Sequence, residues 1–459
     1  MIKMTALKKI VEKIGIDKAI AYSSGARIIQ SIAGVGIIFF ISWFLTGVEQ
    51  GFYFTFGSIT ALQVFFELGL TSIITQFVAH EAAHLKLNEN NVFEGDAFHK
   101  SRLASLFSFC CKWYIIISII VLIFLLITGF VFFERFYDNN GEVVAWKGPW
   151  ILLSVATALQ LLQSPFSSFL MGLGKVKEMN KILFYQQTLI LGATWLGFVL
   201  GLKLYVIGLG ILCSVVIWTA YILCSGMFNI LKNINKIKII ETVPYFKEIF
   251  PYQWKIALSW LSGYFIFQLF NPVLFAVEGA VVAGKMGMTI QALNAIQVLS
   301  MSWQNTKVPL YSSLISLKEY KKLDDTFKKT LYQMAPICLS LLLLLFGFIA
   351  VLKYTEIELN GDLICNRFLD FKPMFFLATA FFANIFVFSW ATYLRCHKKE
   401  PFLVQSIVMG VLCCCSTILF GKMFGVDGVT IGYAVLSMFV SLPWSFCIFK
   451  SRKREWHGN

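Results

Sequence analysis

Runs of about 20 apolar residues recur along almost the whole chain. A helix of roughly that length is needed to cross a bilayer core of about 30 Å, and lipid offers an irregular backbone no hydrogen-bond partners. Hydrophobic residues make up 58% of the 459 positions and charged residues 14%, whereas about a quarter of a soluble domain is charged. We therefore predict an all-α integral membrane protein of about twelve transmembrane helices, near residues 23–45, 53–78, 110–133, 149–171, 180–201, 205–228, 253–276, 281–305, 331–352, 372–394, 401–421 and 428–449.

The basic residues alternate from loop to loop. All but eight of the 39 Lys and Arg residues fall in segments that would share one side of the membrane with the N-terminus. Because cytoplasmic loops are enriched in Lys and Arg, we expect an even number of spans with both termini cytoplasmic. The net charge of +14 is then a topology signal, and no nucleic-acid partner is expected. The eight exceptions are Arg135, Lys147, Lys203, Lys285, Lys353, Arg367, Lys372 and Lys422.

A polar, basic stretch divides the chain near its middle. Residues 229–252 contain four Lys and are interrupted by Pro244 and Pro251, which indicates a cytoplasmic linker. We predict an N-terminal lobe over residues 1–228, made of spans one to six and an amphipathic interfacial helix before them. The C-terminal lobe, over residues 253–459, contains spans seven to twelve and a basic tail.

The two predicted lobes share a weak similarity. Arg27 near the start of span one is followed 22 residues later by a Glu-Gln-Gly turn, and Lys255 near the start of span seven is followed 23 residues later by a Glu-Gly turn. Beyond these turns, residues 59–63 resemble residues 290–294. Internal repeats are common in transporters. Duplication is the favoured interpretation, and chance similarity between two apolar helices is the alternative.

Glu67 is the clearest ionisable residue inside a predicted span. Gln63 precedes it by one helical turn, so the two side chains share a face. Charged groups in a membrane are costly and are therefore functional candidates. We predict that Glu67 and Gln63 face a cavity, where the carboxylate binds a proton or Na⁺ or takes part in gating. The alternative is a buried carboxyl that is hydrogen-bonded between packed helices.

Four cations are predicted to bind substrate. Arg27 and Lys255 lie one to two turns inside the cytoplasmic edges of their spans, at matching points of the two lobes, although each could also snorkel to the interface. Lys285 and Lys307 flank span eight. Cations bind phosphate groups, and amides and aromatic rings suit sugars, so the combination favours an anionic headgroup with sugars. The accompanying residues of span eight are Gln291, Asn294, Gln297, Trp303, Gln304 and Asn305.

One motif points to a different chemistry. Residues 80–84 match H-E-x-x-H, which places His80 and His84 on one helical face as zinc ligands and Glu81 as a general base. A catalytic zinc needs a third protein ligand, and no nearby acidic residue or His stands at a recognised spacing. The alternative is a solvated polar cap at the end of span two. No other cofactor motif is present, so only Na⁺ or H⁺ coupling is expected.

Several segments together resemble the bacterial polysaccharide (O-antigen type) flippases of the multidrug/oligosaccharidyl-lipid/polysaccharide exporter superfamily. The resemblance covers nearly the whole chain in length, span number and two-lobe plan. The segments that carry it are Gly25-Ala26-Arg27, Gly51-Phe52-Tyr53-Phe54-Thr55-Phe56-Gly57-Ser58, Phe65-Phe66-Glu67-Leu68-Gly69-Leu70 and Pro251-Tyr252-Gln253-Trp254-Lys255-Ile256-Ala257-Leu258-Ser259-Trp260.

The resemblance implies a V-shaped bundle of two six-helix lobes in the bacterial cytoplasmic membrane. Its cargo would be an undecaprenyl-diphosphate-linked oligosaccharide, carried across by alternating access with ion coupling, and Arg27, Lys255 and Lys285 would supply a cationic cavity. Polysaccharide polymerase and chain-length machinery are the implied partners, besides membrane lipids. The alternatives are a cation-coupled multidrug exporter of the same superfamily, a membrane zinc protease that uses His80, Glu81 and His84, and a polysaccharide polymerase or ligase. No enzyme activity is expected of the favoured function.

Overall fold

The computed structural model describes residues 18–88, 91–137, 143–359, 362–397 and 399–457. Most of the interfacial helix predicted before span one lies outside these residues. The described chain is almost entirely helical. Its helices are α1 (Lys18–Phe44), α2 (Gly47–Thr60), α3 (Val64–Glu67), α4 (Leu70–Ala82), α5 (Ala97–Phe136), α6 (Lys147–Gly172), α7 (Val176–Val199), α8 (Tyr205–Cys224), α9 (Met227–Asn235), α10 (Tyr245–Glu248), α11 (Phe250–Phe267), α12 (Phe270–Glu278), α13 (Ala280–Ser316), α14 (Tyr320–Thr355), α15 (Phe371–Arg395), α16 (Leu403–Val435) and α17 (Leu442–His457).

Two short antiparallel hairpins interrupt the helices. Strands β1 (Leu85–Leu87) and β2 (Phe93–Gly95) connect α4 to α5, and strands β3 (Glu358–Leu359) and β4 (Asp362–Leu363) follow α14. Short 3₁₀ turns cover Ala61–Gln63 and Ile364–Arg367, and a π-helical segment over Leu436–Ser441 joins α16 to α17.

Eight helical segments of the described chain are long and apolar enough to cross a membrane, or nine if the bent pair Gly47–Glu67 and Leu70–Ala82 counts as one span. The predicted class of all-α integral membrane protein is confirmed. The last segment, Leu403–His457, contains both of the final predicted spans, and the non-helical backbone of Gly425 (φ 60°, ψ −140°) lies between them. The orientation of the termini stays a prediction.

The chain forms two compact units. Unit 1 comprises the described residues of Met1–Ala33, Gln63–Val131 and Ala145–Ala257, and unit 2 comprises those of Gly34–Leu62, Phe132–Val144 and Leu258–Asn459. The predicted lobes, divided by a linker at residues 229–252, stay a prediction. In the structure that stretch includes most of α9, the whole of α10 and the first residues of α11.

The core of unit 1 is centred on Trp150 in α6, which is fully buried. Its indole N–H donates to the carbonyl oxygen of Leu125 at 3.1 Å. Gly129, one turn further along α5, leaves the space that the indole ring fills, since a Cβ there would overlap the ring. A large aromatic ring opposite a glycine lets two helices approach closely, which is how membrane helices gain packing energy.

The core of unit 2 contains a close contact between α2 and α13. Gly51 faces the backbone of Ala280 and Gly284 faces that of Gly51, so a side chain at either glycine would collide with the other helix. Beside this contact, the Gln50 amide donates to the carbonyl oxygen of Gly284 at 2.8 Å and to that of Arg367 at 2.9 Å. Small residues and a shared amide hydrogen bond are the usual means of holding membrane helices together.

Candidate functional site

The second predicted span is interrupted beside Glu67. Helix α3 ends at Glu67, and the next two residues, Leu68 (φ 51°) and Gly69 (φ 67°), have left-handed backbones. The prediction of a continuous span over residues 53–78 was therefore wrong in this detail, since the helical segments on the two sides are bent by 42°. Glycine adopts the left-handed conformation freely, whereas a leucine there stores about 1–2 kcal/mol of strain. Such strain is often found at functional sites.

Hydroxyl groups surround the Glu67 carboxyl in unit 1. The carboxyl is partly buried and accepts a hydrogen bond from the side chain of Thr71. Tyr114 of α5 is fully buried and lies close enough for the charge of Glu67 to act on its phenol group. The Tyr114 hydroxyl has no hydrogen-bond partner among the described residues, and neither has the buried hydroxyl of Ser118, one turn further along α5. Glu67 was predicted from the sequence, whereas Tyr114 and Ser118 were not.

Gln63 is the last residue of the 3₁₀ turn that precedes α3, and its side chain is partly buried. It therefore lies one turn before Glu67 along the interrupted helix, as predicted from spacing. The roles of both residues in coupling or gating stay predictions.

The four predicted substrate cations differ in their surroundings. The side chain of Arg27 lies outside the described part of the structure. Lys255 in α11 is exposed, with its ammonium 5.8 Å from the ring centroid of Trp254. Lys285 is partly buried and Lys307 is exposed. Since both belong to α13, their 22-residue separation corresponds to roughly 33 Å along the helix. A single diphosphate group therefore cannot contact both, and the substrate-binding role of each stays a prediction.

Two of the amides in span eight hold helices of unit 2 together. Gln291 donates to the carbonyl oxygen of Gly34 at 3.2 Å, and the buried Gln304 donates to that of Ser389 at 2.9 Å. By contrast, Asn294 and Trp303 are exposed. Helix packing therefore accounts for part of the span-eight polarity that was predicted to recognise sugars.

The H-E-x-x-H motif lies in a charged cluster at the end of α4. Glu81 is buried, and its carboxylate lies 2.9 Å from Nε of Arg102 and 2.7 Å from Nδ1 of His99. The guanidinium of Arg102 also donates two hydrogen bonds to Glu248, at 3.2 and 2.5 Å. A carboxylate held by arginine is a poor general base. The alternative of a solvated polar cap was also wrong for Glu81, because long-range partners cover it.

The two histidines of the motif are not equivalent. His80 is exposed, whereas the ring of His84 stacks on that of His99 with centroids 4.1 Å apart. Among the described residues no three His, Cys, Asp or Glu side chains form a group able to hold a metal ion. The part of the chain that the structure describes therefore offers the predicted zinc no third ligand.

A second cluster, in unit 2, joins the C-terminal end of α17 to the ends of α14 and α15. The Nε2 atoms of His397 and His457 lie 3.2 Å apart, and the ring of His457 stacks on Tyr320 with centroids 4.1 Å apart. Asp324 accepts hydrogen bonds from the Tyr393 hydroxyl and from Lys453, both at 2.6 Å. Burial lowers the pKa of His397 below its ordinary value. No sequence pattern pointed to this cluster, since its members are far apart along the chain.

No protein-family model matches the chain, and no curated protein matches it. Solved structures do match over nearly its full length. The inward-facing form of a multidrug resistance MATE family transporter of the MOP superfamily is 13% identical with a TM-score of 0.52, over 94% of this chain and 99% of that one. A mutant of the Vibrio cholerae MATE transporter VcmN is 12% identical with a TM-score of 0.53. The match covers 99% of this chain and 100% of that one.

A third match is a MOP superfamily transporter from Pyrococcus furiosus. It is 14% identical with a TM-score of 0.51, over 97% of this chain and 98% of that one. The three matched structures are transporters and not enzymes. At identities this low, the likeness concerns the fold alone. The chain has the multi-pass membrane fold of the MATE transporters of the MOP superfamily.

Proposed function

We propose that this chain carries an undecaprenyl-diphosphate-linked oligosaccharide across the bacterial cytoplasmic membrane by alternating access, driven by an ion gradient. The observation that carries the proposal is the MATE fold, which extends over 94–99% of the chain. The fold shared with these transporters therefore accounts for almost the whole of the given sequence. The sequence resemblance to polysaccharide flippases then favours this cargo.

The chemistry of the cargo explains what the protein must supply. A sugar diphosphate cannot leave water for hydrocarbon without its hydrogen bonds being replaced, whereas its lipid tail can stay in the bilayer. Cations at membrane depth suit the diphosphate, and Lys285 is the best-placed candidate among the described residues, since it is partly buried in α13. The P. furiosus transporter with this fold is described as having a binding pocket of reversed polarity that suggests a different function. One fold therefore accommodates pockets of different charge.

A multidrug exporter is the second candidate. Two of the matched structures are MATE transporters, and the first of these two is described as a multidrug resistance transporter. A zinc protease is disfavoured, since Glu81 is bound by Arg102.

A reconstitution assay tests the proposal. The purified chain is placed in liposomes with an undecaprenyl-diphosphate-linked oligosaccharide, and the fraction of sugar that reaches the opposite leaflet is followed over time. Lys285→Ala should slow transfer about tenfold or more, because a charge-assisted hydrogen bond contributes about 1.5–3 kcal/mol. Lys353→Ala is the matched control, an exposed lysine in the last turn of α14. Transport of a cationic dye without transfer of the lipid-linked sugar would instead identify a drug exporter.

A further inference from the structure

One face of α17 and the loop before α16 form a groove of about 340 Å³ in unit 2. Five of its lining residues follow the i, i+3, i+4, i+7, i+8 pattern, which places them on one side of a helix. We call this cavity the α17 groove. It is lined by Pro401 of the loop and by Trp444, Cys447, Ile448, Ser451 and Arg452 of α17.

The polarity of the α17 groove changes along its length. Its first part is lined by Trp444, Cys447 and Ile448, and its second part by Ser451 and Arg452. The eight residues from Trp444 to Arg452 correspond to about 12 Å of helix. Tryptophan favours the membrane interface, where its ring contacts acyl chains. A ligand with an apolar chain and a polar head therefore matches the groove, whereas a small soluble anion would use only one end.

The guanidinium of Arg452 is available to a ligand. The side chain is 47% exposed, and its Nη1 donates to the carboxylate of Glu455. Among the residues that the structure describes, no other hydrogen bond is formed by this side chain. A guanidinium has five N–H donors in a fork that suits phosphate oxygens. Arg452 therefore has donors for a phosphate group while it keeps its contact with Glu455.

The charge at the end of α17 favours an anion. The last two turns of the helix expose three cations and one carboxylate, that of Glu455. The three cations are Lys450, Arg452 and Arg454. Basic clusters next to a membrane span attract anionic lipid headgroups. Charge and shape thus indicate the same class of ligand.

These cations belong to a helix that is held in place. Lys453, on another face of α17, binds Asp324 of α14 at 2.6 Å. The ring of His457 stacks on that of Tyr320, at the start of α14. A preformed site binds its ligand more tightly, because less conformational entropy is lost on binding. The end of α17 therefore differs from a loose basic tail.

We propose that the α17 groove binds one anionic phospholipid of the surrounding bilayer. The lipid phosphate binds Arg452 and Ser451, and an acyl chain packs against Trp444 and Ile448. The same lipid covers Pro401, so it connects the start of α16 to α17. This site goes beyond the proposed function, since its ligand is a lipid of the bilayer and not the carried sugar.

Native mass spectrometry of the full chain tests the site. The detergent-solubilised protein is equilibrated with equal amounts of phosphatidylglycerol and phosphatidylcholine of the same chain length, and the retained lipids are counted. We expect one phosphatidylglycerol to be retained in preference. Arg452→Gln should weaken its binding about tenfold or more, because charge-assisted hydrogen bonds are lost. The matched control Arg454→Gln removes the same charge outside the groove and should have a smaller effect. Equal effects would indicate diffuse attraction and overturn the groove.

Cys447→Phe separates the groove from its charge. Cys447 is exposed, so the larger ring should fill the apolar part of the groove and leave the unfolding midpoint in lipid-free detergent unchanged. Phosphatidylglycerol should then no longer be retained, although every cation is present. Retention by this variant, or equal retention of the two lipids by the wild type, would overturn the proposal. Displacement of the lipid by millimolar inorganic phosphate would do so too, because it would identify a free anion as the ligand. None of these results depends on sugar transfer.

Discussion

Glu81 and Arg102 form an ion pair with an Oε1–Nε distance of 2.9 Å, and the side chain of Glu81 is only 3% exposed. The guanidinium also binds Glu248, which follows it by 146 residues in the chain. Arg102 thus connects the end of α4 to α10 within unit 1. Two carboxylates share one cation, so removing the arginine takes this ion pair from both and leaves Glu81 with its contact to Nδ1 of His99 at 2.7 Å.

We predict that Arg102→Met destabilises unit 1 strongly. Breaking a buried pair by removing one partner costs about 3–5 kcal/mol, and the lower end applies here because Glu248 is partly exposed. Thermal unfolding of the purified protein in detergent should show a midpoint several degrees lower. Arg135→Met, at the other end of α5, is the matched control and should change the midpoint little. Equal stability of the two variants would contradict the role of the ion pair.

The histidines of the H-E-x-x-H motif allow a matched comparison. His84→Ala should lower the stability of the protein, because it removes the stacking of His84 on His99. His80→Ala should have almost no effect, since that side chain is 75% exposed. A zinc site would make both substitutions equally damaging to metal content and activity. Metal analysis by mass spectrometry, together with unfolding midpoints for both variants, separates these outcomes.

The helices were predictable from sequence because crossing a bilayer imposes one length and one composition. Glu67 was predictable for the same reason, as a carboxylate inside an apolar run is conspicuous. Its surroundings were not, since the left-handed Leu68 and the buried Tyr114 depend on how the helices pack. The Glu81–Arg102–Glu248 cluster joins residues from three separate parts of the chain, and a single sequence carries no record of such pairings.

Two glycines of α2 provide a test of helix packing in unit 2. Gly51→Ala should destabilise the protein by several kcal/mol or prevent its accumulation, because the new Cβ would overlap the backbone of Ala280, which cannot move aside cheaply. Gly57→Ala, in the same helix, has open space around it and should stabilise the helix by up to about 1 kcal/mol. Membrane expression and unfolding midpoints would measure both. Similar values for the two variants would refute the close contact.

The C-terminal histidine pair predicts that acid releases the end of α17. Nδ1 of His397 faces the Tyr393 carbonyl oxygen at 3.3 Å and must donate to it, so the neutral ring offers Nε2 as acceptor to His457. Burial lowers the pKa of His397, so its stabilising effect is present above about pH 6.5, the unfolded value, and is lost as the pH falls through the lower folded value. Hydrogen exchange of residues 450–457, corrected for its intrinsic pH dependence, should therefore accelerate in acid. His397→Asn, which does not titrate, should weaken this dependence and leave only the contribution of His457, and a variant with the wild-type response would disprove the mechanism.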